Sequence, residues 1–265
     1  MMRNRMFVVL LLSASLTCCA SPQQKLQQTR AKDPKYQYNV GLVYLNQSNA
    51  DARNIDEAIK YFVKALSLDT RFYQAWNGVG LAQSLKGNLQ ESAKAFEKCL
   101  EINPGFTEAR NNLGSIYQEL NQLDKAEAEF QKALFDKTYL YHELPYYNLA
   151  RLYVLQGKLD AALDNVEKAI KFKPRLAMAH NLKGIILDKQ GKPEEAVSAY
   201  EQAVRVVPDD VQFGFNLGVS YFGIGNYDRA KDVFLKISPR VTDPAMKTRV
   251  EQFLKDIQAR EAARS

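Results

Sequence analysis

One spacing returns six times along this 265-residue chain. Each copy carries a small residue in its first half: Gly41, Gly80, Gly114, Ala150, Gly184 and Gly218. In its second half a small residue stands four positions before a bulky one: Ala58/Phe62, Ser92/Phe96, Ala126/Phe130, Ala162/Val166, Ala196/Tyr200 and Ala230/Phe234. The period is about 34 residues. A separation of four puts both residues on one face of a helix. A glycine inside a helix costs up to about 1 kcal/mol against alanine, so its return at one phase means that a close helix–helix contact is worth more. Pro104, Pro174 and Pro208 stop the second helix, because proline lacks the N–H for the next helical bond. Each copy is therefore a helical hairpin, helix A then helix B, that cannot bury its apolar face alone. Stacked copies make an all-α superhelical solenoid with a long concave surface. The copies fall at 34–72, 73–106, 107–142, 143–176, 177–210 and 211–239.

These registers resemble the tetratricopeptide repeat over 34–239. Two copies depart from it. The first holds about five extra residues between its helices, within 46–53. The third lacks its terminal proline and runs on to Pro145. Both read as insertions, and a loop on a rigid scaffold is also where recognition can sit. Beyond Pro239 the register is lost, and 240–265 reads as a charged capping helix and tail over the last apolar face.

The first residues are an address. Arg3 and Arg5 precede the apolar run Met6–Leu12, which is too short for a lasting membrane span. The run ends Leu16-Thr17-Cys18-Cys19, which resembles a bacterial lipobox, with Leu at −3 and the lipidated Cys19 at +1. A frame on Cys18 would put bulky Leu16 at −2 and fits worse. The alternative is an ordinary cleaved leader with incidental cysteines. The resemblance implies a signal peptide over 1–18 and several acyl chains on Cys19, enough for stable anchoring. Ala20 at +2 implies sorting to the periplasmic face of a Gram-negative outer membrane. Residues 19–33 are then a flexible tether reaching about 20 Å.

No reaction chemistry is legible. His142 and His180 are not at metal-ligand spacing. Glu194-Glu195 sits in a helix's first turn, where acids suit the dipole, and Asp209-Asp210 precedes a helix. Past Cys19 the remaining cysteine is Cys99, placed where other copies have alanine and read as a buried thiol. The net charge of +6 is spread among interspersed acids, and the export signal removes the chain from RNA. The expectation is no catalysis, cofactor, metal or nucleic acid, and a protein partner.

In such arrays helix A builds most of the concave face. Register gives its lining as Tyr38, Leu42 and Leu45 in copy one, and Asn77, Leu81 and Leu85 in copy two. Asn111 and Ser115 follow in copy three, then Tyr147, Arg151 and Val154 in copy four. Met178, Asn181 and Ile185 come next, then Phe215, Val219 and Phe222. This lining is rich in apolar groups and suits an amphipathic helix or an extended apolar segment. The asparagines could bond a peptide backbone, or each other.

Three features together resemble the PilF/PilW/Tgl family of type IV pilus pilotins. They are the lipobox followed by six repeats, the join Glu101–Gly105 into Ala109 and Asn111–Gly114, and the odd junction Ala133-Leu134, Asp136, Tyr139, Pro145, Asn148-Leu149. That resemblance implies a secretin subunit as partner, held by the groove and carried to the inner leaflet of the outer membrane by the N-terminal lipid. The alternative is an adaptor that recruits peptidoglycan hydrolases or other envelope enzymes.

Overall fold

The computed structural model describes residues 21–46 and 51–263; Cys19, the leader 1–18 and positions 47–50 of the copy-one insertion lie outside the described residues. Among the described residues every regular element is helical. The A helices are α2 (Pro34–Leu45), α4 (Tyr73–Leu85), α6 (Thr107–Glu119), α8 (Glu143–Leu155), α10 (Ala177–Lys189) and α12 (Val211–Gly223). Their B partners are α3 (Ala52–Leu68), α5 (Leu89–Ile102), α7 (Leu123–Leu134), α9 (Leu159–Phe172), α11 (Pro193–Val206) and α13 (Tyr227–Ile237). Helix α1 (Pro22–Ala31) precedes the array and α14 (Pro244–Ala262) closes it.

Five of the six hairpins share one close contact. The small residue of helix A lies directly under a ring of helix B. A Cβ on Gly114 would stand 2.6 Å from Phe130, and one on Gly218 2.6 Å from Phe234. Gly41, Gly80 and Gly184 meet Phe62, Phe96 and Tyr200 in the same way. Copy four replaces the pair with Ala150 and Val166, both fully buried. Phe62 also faces Gly78 of the next helix A, so one ring locks two copies.

The turn from A to B needs a left-handed residue. Gly87, Gly157, Gly191 and Gly225 supply it with φ between 72° and 78°, the conformation a glycine adopts without penalty. Copy three uses Asn121 at φ 57°.

Neighbouring hairpins are stitched by tyrosine. Tyr117 on α6 donates to Glu97 on α5 at 2.6 Å, Tyr153 on α8 to Glu127 on α7 at 2.9 Å, and Tyr221 on α12 to Glu201 on α11. Successive A helices from α2 to α10 touch one another, whereas successive B helices do not to a comparable extent. The stack therefore curves with helix A on its inner side.

Both ends differ from a plain stack. The stretch expected to be a flexible tether forms α1. Ser21 and Gln24 make a reciprocal capping box at its start, with Pro22 in the first turn. Buried Gln37 donates from Nε2 to the carbonyls of Arg30 and Ala31 at its end. Ten helical residues span about 15 Å, so this stretch is a stiff strut docked on α2. At the other end α14 buries Val250 and Ile257 in the core of copy six. Its Phe253 stacks on Phe234 at 5.1 Å.

Gly114→Ala is expected to destabilise the array by about 1–3 kcal/mol through overpacking against Phe130. Adding Phe130→Val recreates the pair that copy four uses. In a urea double-mutant cycle the two changes should cost less together than the sum of each alone. Additive losses would mean that Gly114 and Phe130 do not form the contact described.

Candidate functional site

The inner face was expected to present all of the lining residues. The structure sorts them into three groups. Leu85, Met178 and the side chain of Arg151 are exposed. Leu155 joins them at 62% exposure, against 60% for Leu85. Arg151 lies 5.9 Å from the Tyr147 ring, which is half-buried. Burial raises the Tyr147 phenol above its ordinary pKa, opposed by the nearby Arg151 charge. Leu42, Leu45, Leu81, Val154, Ile185 and Val219 are half-buried, with one side packed on the core.

The second group is taken up by the scaffold. Asn77 and Asn111 are buried rather than presented to a peptide. Asn148 donates from Nδ2 to Asn111 Oδ1 at 3.0 Å and approaches Ser115 Oγ at 3.4 Å. Asn216 donates to Asn181 Oδ1 at 2.8 Å. Of the two options left open for the asparagines, Asn111 and Asn181 take the second, pairing with an asparagine of the next helix A, whereas the side chain of Asn77 meets only Glu108, at 3.5 Å.

The third group sits under the array's ends. Tyr38 is half-buried against Phe62 and Phe72, with centroids at 5.6 and 5.3 Å. Phe215 is buried between Phe234 and Phe253, with Arg249 of α14 at 4.6 Å over its ring. Phe222 packs on Phe253 at 5.0 Å and on Tyr227, below Arg260. Phe215 and Phe222 thus belong to the contact with α14. The sequence pattern missed this because the register ends before the residues that cover them.

The histidines have structural settings. His180 Nε2 lies 2.8 Å from the Pro174 carbonyl, which can only accept, so the ring donates there. Trp76 and Arg110 reach Thr70 and Pro104 carbonyls from the matching places in their copies. His142 stacks on Phe172 at 5.2 Å. Cys99 is buried, and desolvation pushes its thiol up to about 12. Among the described residues no His, Cys, Asp or Glu side chains group as a metal site would need.

Sequence reasoning read the junction after copy three as an insertion with recognition as the alternative, and the structure shows which of its side chains are open. Phe135 and Leu140 are 81% and 84% exposed, and Tyr141 and Phe172 more than half exposed. Asp136 organises this loop. It accepts from Thr107 Oγ1 at 2.6 Å, from Thr138 Oγ1 at 2.6 Å and from the Thr138 amide at 2.9 Å. Those hydrogen bonds hold its carboxyl at about 2. The available signal was the aromatic density of Tyr139–His142 in a linker that lacks the usual proline.

Family models for tetratricopeptide repeats match the chain at 47–105 and 189–250, and a model of a tetratricopeptide repeat-like domain matches 82–213. The Pseudomonas aeruginosa pilF structure superposes with a TM-score of 0.72 at 16% identity, covering 84% of this chain and 99% of that one. PilW, described as a widely conserved type IV pilus biogenesis factor, superposes at 0.74 and 17% identity, covering 82% and 97%. The Candida albicans peroxisomal targeting signal receptor is 33% identical over 87 residues, which is 33% of this chain and 15% of the receptor. The chain thus spans about a seventh of the curated relatives that it matches.

The Asp136 hydrogen bonds lower its folded pKa below the ordinary 3.8, so they stabilise the loop above that value and are lost as pH falls through about 2. Amide exchange at Thr138 should accelerate across that window. Asp136→Asn should make exchange there fast already at pH 6 and flatten its dependence on pH. A Thr138 amide equally protected in the variant would remove Asp136 from this role.

Proposed function

We propose that this tetratricopeptide-repeat protein is a lipid-anchored outer-membrane scaffold, a pilotin that holds a secretin subunit while the type IV pilus secretin assembles. The observation that carries the reading is extent. More than four fifths of this chain superposes on nearly the whole of each pilus-biogenesis structure, whereas the peroxisomal receptors share only a short stretch of repeats. The lipobox at Cys19 supports the address, and the exposed apolar residues Leu85, Leu155 and Met178 of the A helices, on an inward-curving face, support protein binding. The mechanism needs no reaction. An apolar segment of the subunit would be covered in the groove during transit, the acyl chains would hold the complex at the inner leaflet, and ring closure would replace the groove contacts. Helix α1 would set the distance of the array from the lipid.

Two measurements test this. Cys19→Ser should leave the array folded but move it from the outer-membrane fraction to the soluble periplasm; retention in that fraction by Cys19→Ser, with release by Cys18→Ser, would shift the lipidated residue to Cys18. Replacing Leu85, Leu155 and Met178 together by Ser should leave the protein anchored while the heat-resistant secretin multimer and surface pili are lost, because a few apolar anchors carry most of the energy of such a contact. Normal multimers in a strain without the gene would overturn the pilotin reading. A cell-wall turnover defect in that strain would move the weight to an adaptor for envelope enzymes.

A further inference from the structure

Beside the start of α6 the junction 135–142 folds back and closes an open pocket of about 270 Å³. Phe106 and Glu108 line one side, Tyr139, Leu140 and Tyr141 the other, and Asp136 lies at its edge. None of its lining residues is a cation. Asp136 has three hydrogen-bond donors of its own. Glu108 is exposed, and its one polar side-chain contact is Asn77 Nδ2 at 3.5 Å, the limit of a hydrogen bond. No Lys or Arg among the described residues pairs with it, although Glu129, Glu143, Glu167 and Glu201 all have such partners. Beside the hydrogen-bonded Asp136, the lining therefore offers one carboxylate, Glu108, without a cationic partner, and no cation of its own. The pocket is walled by aromatic rings, which attract a cation through their faces.

We infer that this pocket receives an arginine or lysine side chain of the protein segment bound along the inner face, with Glu108 as its counter-charge and Tyr139 and Tyr141 as its walls. The inference rests on the protein-binding reading above and adds the chemistry of the bound segment. Burial, and then the Glu108 charge, push the Tyr139 phenol up to about 12, so it stays neutral beside the cation. Leu140 of the lining is itself 84% exposed, so the basic residue should stand next to an apolar one.

The test uses the full purified chain and a displayed library of short random peptides. Retained peptides should be enriched in Arg or Lys beside an apolar residue. For one such peptide, E108Q should weaken binding about tenfold, and raising the salt should narrow the gap. Exchanging the peptide's Arg for Gln should cost the wild type the same factor and cost E108Q nothing further. Glu108→Arg should prefer a peptide with Glu at that place. Glu108 is exposed, so E108Q should melt with the wild type; if it does not, Tyr139→Leu serves as the second variant with the same expected loss. Retained peptides without a basic bias, equal binding by E108Q, or no retained peptide would overturn the inference. Normal secretin multimers in the deletion strain, together with Glu108-dependent peptide binding, would overturn only the pilotin assignment.

Discussion

The structure depends on a small residue of one helix accepting a ring from the next. Gly41, Gly80, Gly114, Gly184 and Gly218 each leave a Cβ-sized gap that a Phe or Tyr fills. The contact brings two backbones close and buries the largest side chains of the core, including Phe62, Phe96, Phe130 and Phe234. Its benefit is hydrophobic burial with close packing, set against the cost of glycine in a helix. Copy four reaches a comparable fit with Ala150 and Val166, so the constraint is on the sum of two volumes rather than on glycine itself.

Once each hairpin has this contact, the rest of the shape follows from how hairpins meet. Tyrosines on helix A reach glutamates on the preceding helix B, and asparagine pairs bridge one helix A to the next. A-to-A contacts without matching B-to-B contacts curve the array. The curvature gathers half-buried aliphatic groups on one side, with Leu85, Leu155 and Met178 left open. A rigid face of this kind loses little conformational entropy when it binds, which suits a protein-binding scaffold.

Irregularity is concentrated where this regular logic stops. At the N-terminus Gln37 caps a helix that no repeat requires. At the C-terminus Phe253 completes the aromatic layer of copy six and withdraws Phe215 from solvent. Between copies three and four, Asp136 replaces the missing proline as the organiser of the turn and shapes a carboxylate-bearing pocket next to exposed aromatic groups.

By itself the sequence determined the all-α solenoid, the pairing of small residue and ring, and the helix stops at proline. All of these are short-range: four residues make one face of a helix, and a residue without an N–H ends it. Tertiary structure decided availability. Asn77, Asn111 and Phe215 carry the right register for the inner face, but residues from another copy or from α14 cover them. The pocket at Glu108 likewise exists only because Thr107 and Asp136, 29 positions apart, meet. The physical reason is that burial sums contributions from every neighbour in space, whereas periodicity reports only which side of its own helix a residue occupies.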